Sequence, residues 1–149
     1  MTTPTTDSPS AAWQRYQQTM TAPPTLWAAA RANDVAELAR LLAADPQAID
    51  ARDHRGYAPL MLAAYAGHAE AFALLLAHGA DANTADLAGN TVLMGAAFKG
   101  HVALVEHLLA AGADPTPTNH AGQDARATAL TFGRRDVVAV LDAVLASPA

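Results

Sequence analysis

Six histidines (His54, His68, His78, His101, His107 and His120) and fourteen acidic residues are the side chains of this 149-residue sequence most suited to chemistry. They could serve as metal ligands or as acid/base pairs. Their spacing favours neither. His68 and His101 lie 33 residues apart, and neither has a close sequence partner with ligand geometry. Asp53 and Asp86, like Asp81 and Asp114, repeat at that same step of 33 and read as turn residues. The only serines are Ser8, Ser10 and Ser147, near the two ends, which leaves no Ser-His-Asp set on a rigid scaffold. The absence of Cys removes a thiolate nucleophile, a disulfide framework and Cys-ligated zinc. No glycine-rich phosphate or dinucleotide loop is present, and no motif supports a Thr or Asp nucleophile. The sequence therefore predicts no catalytic residues, no metal and no cofactor.

Elements that could position any site are helical. Of 77 apolar residues 39 are Ala, and Leu leads the rest with 17 against 8 Val and 1 Ile, a composition that favours helices with closely approaching backbones. A net charge of −5, with Lys99 as the one lysine, argues against a nucleic-acid partner. No apolar run is long enough to span a membrane, and Met1 to Thr21 lacks the pattern of a signal peptide. A cytoplasmic monomer is the expectation.

A fixed period organises these helices. Asp53, Asp86 and Asn119 are 33 residues apart, as are Gly56, Gly89 and Gly122, and Gly67, Gly100 and Gly133. His68 and His101, Leu75-Leu76 and Leu108-Leu109, and Gly79-Ala80-Asp81 and Gly112-Ala113-Asp114 keep the same step. Within one unit, Asp53-His54-Arg55-Gly56 predicts a tight turn in which the Asp accepts from nearby backbone N–H groups. Pro59 suits the first position of a helix over Leu60 to Ala66, and Thr91 is the equivalent N-cap candidate one unit later. A second helix, roughly His68 to His78, presents Phe72, Leu75 and Leu76 on one face.

The run from Gly56 through Pro59-Leu60-Met61-Leu62-Ala63-Ala64 to Gly67-His68, followed by Leu75-Leu76 and Gly79-Ala80-Asp81, resembles the ankyrin repeat. It returns as Gly89-Asn90-Thr91-Val92-Leu93-Met94, Ala96-Ala97, Gly100-His101, Leu108-Leu109 and Gly112-Ala113-Asp114. The likeness covers roughly Pro24 to the C-terminus and suggests a small stand-alone member of bacterial type. It departs at Met61 and Met94, where the family carries the His of its Thr-Pro-Leu-His tetrapeptide, so the usual Thr–His hydrogen bond is lost with some stability. The resemblance implies an all-α ankyrin-repeat solenoid of about four helix-turn-helix units joined by β-turn loops.

The units are set at 24–52, 53–85, 86–118 and 119–149, with an offset of 34 between Ala29-Ala30 and Ala63-Ala64 implying one extra residue between Asp45 and Asp50. In the last unit Arg126 and Asp142 enter apolar columns, as a terminal repeat with a polar outer face requires. Residues 1–23 predict a disordered tail in which 11–20 can form a short helix, with Trp13, Tyr16 and Met20 near one stripe. That helix would fold over the open edge of the first repeat or, less favoured, dock a partner.

The resemblance further implies a concave face of turns and first helices that binds another protein. Mapped onto it, Arg55, Tyr57, Tyr65, Leu87, Asn90, Phe98, Lys99, Gln123 and Phe132 become the candidate partner-binding residues, with Arg31 the nearest equivalent in the first unit. Three of the eight aromatic residues, Tyr65, Phe98 and Phe132, sit beside one groove, where rings supply contact area with few rotatable bonds. The competing reading is that these rings only pack neighbouring first helices together. The function expected is a non-enzymatic interaction module acting as a regulator or accessory factor of an unidentified protein. The alternative is a small metal- or ligand-dependent enzyme using His and Asp residues of the turns.

Overall fold

The computed structural model describes residues 25–146, so the expected tail over 1–23, with Trp13, Tyr16 and Met20, lies outside the described residues. Among the described residues eight α-helices follow one another in pairs: α1 (Leu26–Ala32) with α2 (Val35–Ala44), α3 (Pro59–Ala66) with α4 (Ala69–Ala77), α5 (Val92–Lys99) with α6 (Val102–Ala110), and α7 (Ala125–Thr131) with α8 (Arg135–Ala146). First helices pack side by side in the order α1, α3, α5, α7, and each also packs against its own second helix. The result is all-α, two layers deep and built by repetition. The connection after α2 is a 3-10 turn, Pro46–Asp50, that buries Ile49.

Local chemistry places each helix. Pro59 opens α3, and the Thr91 hydroxyl caps α5 by accepting from the Met94 N–H. In the first helix pair, Asn33 takes the left-handed cap position (φ 56°) that Gly67 and Gly100 hold in the next two. Its side-chain oxygen also accepts from the Ala71 N–H, tying the first pair to the start of α4.

The core runs along the interface of the two layers. Residues 59–64 of α3 and 92–97 of α5 are all buried, whereas α4 buries Ala71, Phe72 and Leu75 and α6 buries Leu104, Val105 and Leu108. Met61 and Met94 are among the buried residues, so apolar packing stands where the family's Thr–His hydrogen bond would be. At the far edge Arg126 and Asp142, the two charges in apolar columns, form an ion pair with each other. That edge is less polar than expected, because Leu130 (53% exposed), Val144 (40%) and Leu145 (45%) also face outward.

Candidate functional site

Three hairpin turns frame the site, and one residue builds each. Asp53 Oδ1 accepts from the N–H groups of Arg55 and Tyr57, both at 2.9 Å. Asp86 does the same for Ala88 and Asn90, and Asn119 for Ala121 and Gln123. A backbone pair closes each turn, as in Asp53 N–H to Tyr57 C=O at 3.0 Å, and Gly56, at φ 84°, supplies the left-handed step. Burial disfavours the Asp53 anion. The Tyr57 and Arg55 N–H groups, with Arg55 and His54 nearby, outweigh it and hold the carboxyl below its ordinary range.

The turns are stitched together laterally. Asn119 Nδ2 donates to Asn90 Oδ1 at 2.8 Å, and Asn90 Nδ2 donates to Asp86 Oδ2 at 3.3 Å. The His120 N–H donates to the Ala88 carbonyl. Leu87, 67% exposed, leans over Gly56, where an added Cβ would lie 2.8 Å from Leu87 Cγ. It therefore stands at a turn tip.

Below the turns, a cleft of about 290 Å³ opens between α3, α5 and α7. Tyr65, Phe98, Phe132, Met94 and Gly95 form its apolar wall, and Asn90, Asn119, Gln123 and Thr128 its polar side. Phe98 and Phe132 meet edge to face at 4.5 Å between centroids yet stay 36% and 47% exposed. Tyr65 instead meets Tyr57 edge to face at 5.8 Å. The three rings that share one groove in sequence thus divide, Phe98 and Phe132 pairing with each other and Tyr65 with Tyr57.

Gly95 causes the division. The equivalent positions are Leu62 and Thr128, but at 95 an added Cβ would fall 2.4 Å from Tyr65 Cε1, so the missing side chain lets the ring lie on α5. Burial there, with the negative charge of Asp86 and the neighbouring Tyr57, pushes the Tyr65 phenol up to about 12.

Two cations complete the surroundings. The Arg55 guanidinium lies 4.9 Å from the Tyr57 ring centroid, and the Lys99 ammonium lies 5.6 Å from that of Phe98. Of the nine residues selected from sequence, the cleft unites Tyr65, Asn90, Phe98, Gln123 and Phe132. Tyr57 and Lys99 touch its rings, Arg55 reaches only Tyr57, and Leu87 stays apart. Sequence reasoning missed Gly95 as a site residue, although a glycine inside an otherwise apolar helix was a usable signal.

The histidines have neighbours in the scaffold. His68 Nε2 is 3.0 Å from the Arg31 carbonyl oxygen, and His78 Nδ1 is 2.9 Å from that of Leu74. His101 covers Gly67, His107 meets Phe72 edge to face, and His120 lies against Gly89. Arg134, one step beyond His101, continues the His68 pattern by donating to the Phe98 carbonyl at 3.0 Å. Among the described residues, no group of three or more His, Cys, Asp or Glu could hold a metal ion.

The family model for ankyrin repeats in three copies matches residues 26–119. The chain belongs to the ankyrin repeat family. Helix pairs, turn chemistry and layer order all follow from that repeat, and the fourth helix pair, α7 with α8, continues the stack beyond the matched residues. Ankyrin repeats are generally protein–protein interaction modules and typically not enzymes. No curated protein matches the sequence. Neither the site nor the family supports the alternative of an enzyme built on turn His and Asp residues. Among the described residues, no helix is long and apolar enough to cross a membrane.

Proposed function

We propose that this ankyrin repeat chain is a non-enzymatic binding module, a cytoplasmic monomer that holds one partner protein against its turns and first helices. It would act as a regulator or accessory factor of that partner. One observation carries the reading: Phe98 and Phe132 remain 36% and 47% exposed on the wall of a preformed cleft, although α5 buries six consecutive residues beside them. Rings held in place but not covered offer contact area at small entropic cost. The amides of Asn90, Asn119 and Gln123 beside them can orient a peptide backbone. Arg55, Tyr57 and Lys99 extend the contact surface, with Leu87 at its upper margin.

The test is affinity capture from the native cell with wild type and with a Phe98→Ala, Phe132→Ala double variant whose melting curve shows it folded. Binding of the captured partner is then measured for both. We expect the variant to bind at least about thirtyfold more weakly, the scale of a hot-spot loss. Equal affinity would place the interface elsewhere.

A further inference from the structure

The first-helix face concentrates positive charge at one end. At its start, a second cleft of about 370 Å³ is lined by Arg31, Arg52, Arg55 and His54 beside Trp27. It gathers three of the eight arginines of a chain whose net charge is −5. Its one acid is Asp53, whose Oδ1 is taken by two N–H groups and whose Oδ2 lies 3.9 Å from Arg55. Among the described residues, the guanidinium groups of Arg31 and Arg52 have no ion-pair partner. The second helices carry more acids than bases, with Glu70, Glu106 and Asp136 exposed against Arg40 and Arg135.

We propose that the partner segment held by this face is an extended acidic stretch carrying one apolar anchor. Its carboxylates pair with Arg31, Arg52 and Arg55, and the anchor fills the cleft between Tyr65, Phe98 and Phe132. The proposal rests on the reading of this face as a docking surface and adds the chemistry and register of what docks. Guanidinium groups suit carboxylates because two N–H donors match the two oxygens. The acidic outer helices repel the same segment, so orientation is set by charge as well as by contact.

Register follows from helix spacing. Arg31, Tyr65 and Phe98 occupy equivalent positions on α1, α3 and α5. Packed helices lie about 8–10 Å apart, so two steps span roughly 16–20 Å. An extended chain advances about 3.3 Å per residue, which sets the anchor about five or six residues from the acidic cluster. Tyr57 and Tyr65 pave the path between. A nucleic acid would demand a longer row of cations than these arginines and Lys99 provide.

The full chain is panned against random peptides about twelve residues long, enough to cross the face when extended. Enriched peptides are then measured against an Arg52→Glu, Arg55→Glu variant and against Phe98→Ala, with a single-stranded oligonucleotide as competitor. We expect clustered Asp and Glu about five or six positions from a Leu, Met or aromatic residue. Charge reversal should weaken these peptides at least about tenfold, and replacing their acids by Lys should restore binding to the reversed variant. Peptides sensitive to Phe98→Ala but without acids, and indifferent to the arginines, would overturn the acidic segment while leaving the docking face intact. Peptides indifferent to both variants would overturn both. Tighter binding of the oligonucleotide than of any peptide would assign the arginines to phosphate.

Discussion

The two helix layers have different duties although both are helical and rich in Ala and Leu. In the first layer, α3 and α5 each bury an unbroken run of six residues; in the second, α4 and α6 bury three apiece. An inner first helix, α3 or α5, is enclosed by a neighbour on either side and by its own second helix, and the turns stand over its start. Only its last turn can offer a large side chain to a partner, which is where Tyr65 and Phe98 sit. A second helix keeps one face in solvent. The residues proposed for recognition therefore share the most tightly packed layer, and the same surroundings that bury the core also fix the rings.

Mutations can break that comparison, and Leu93→Ala should have the largest effect. Leu93 is 1% exposed in α5, and its truncation leaves a cavity between layers, with an expected loss of about 2–5 kcal/mol in denaturant unfolding. A loss below about 1 kcal/mol would mean that the first layer is loosely packed. Thr91→Ala comes next, removing the hydroxyl that caps α5 at a cost of about 1 kcal/mol.

Gly95→Ala sharpens the comparison by setting helix propensity against packing. Alanine favours the helix by about 1 kcal/mol, but its methyl group needs the place of the Tyr65 ring, so net stability should move by less than about 1 kcal/mol. The ring itself should be displaced. In wild type, ultraviolet titration should show one tyrosine ionising near 12, a signal abolished by Tyr65→Phe and brought towards 10 by Gly95→Ala. The fold keeps this phenol neutral, so its contribution is intact below the unfolded value of about 10 and is lost as pH rises from there to about 12. The smallest effect belongs to the second layer: Arg40→Ala removes an exposed pair with Glu37 and should leave the melting temperature unchanged within error.

Much of the fold was legible because repetition writes the same local chemistry several times. Asp53, Asp86 and Asn119 each close a turn with two N–H groups, as their shared spacing implies. Arg126 and Asp142 signalled an edge by entering apolar columns, though their pairing with each other was not readable, since the two lie on different helices. The site was legible only as a set of columns. Equivalent positions in sequence do not say which rings touch, and Tyr65 joined Tyr57 while Phe98 joined Phe132.

Turn positions, helix starts and stops, and the buried columns were determined by the sequence alone. They depend on backbone conformation and on hydrophobic period, both local properties. Tertiary structure alone decided the cleft, the division of the aromatic rings and the gathering of three arginines at one end. Those depend on side-chain volume at positions far apart in the chain, as with the missing Cβ at Gly95, and volume acts only once the helices are packed together.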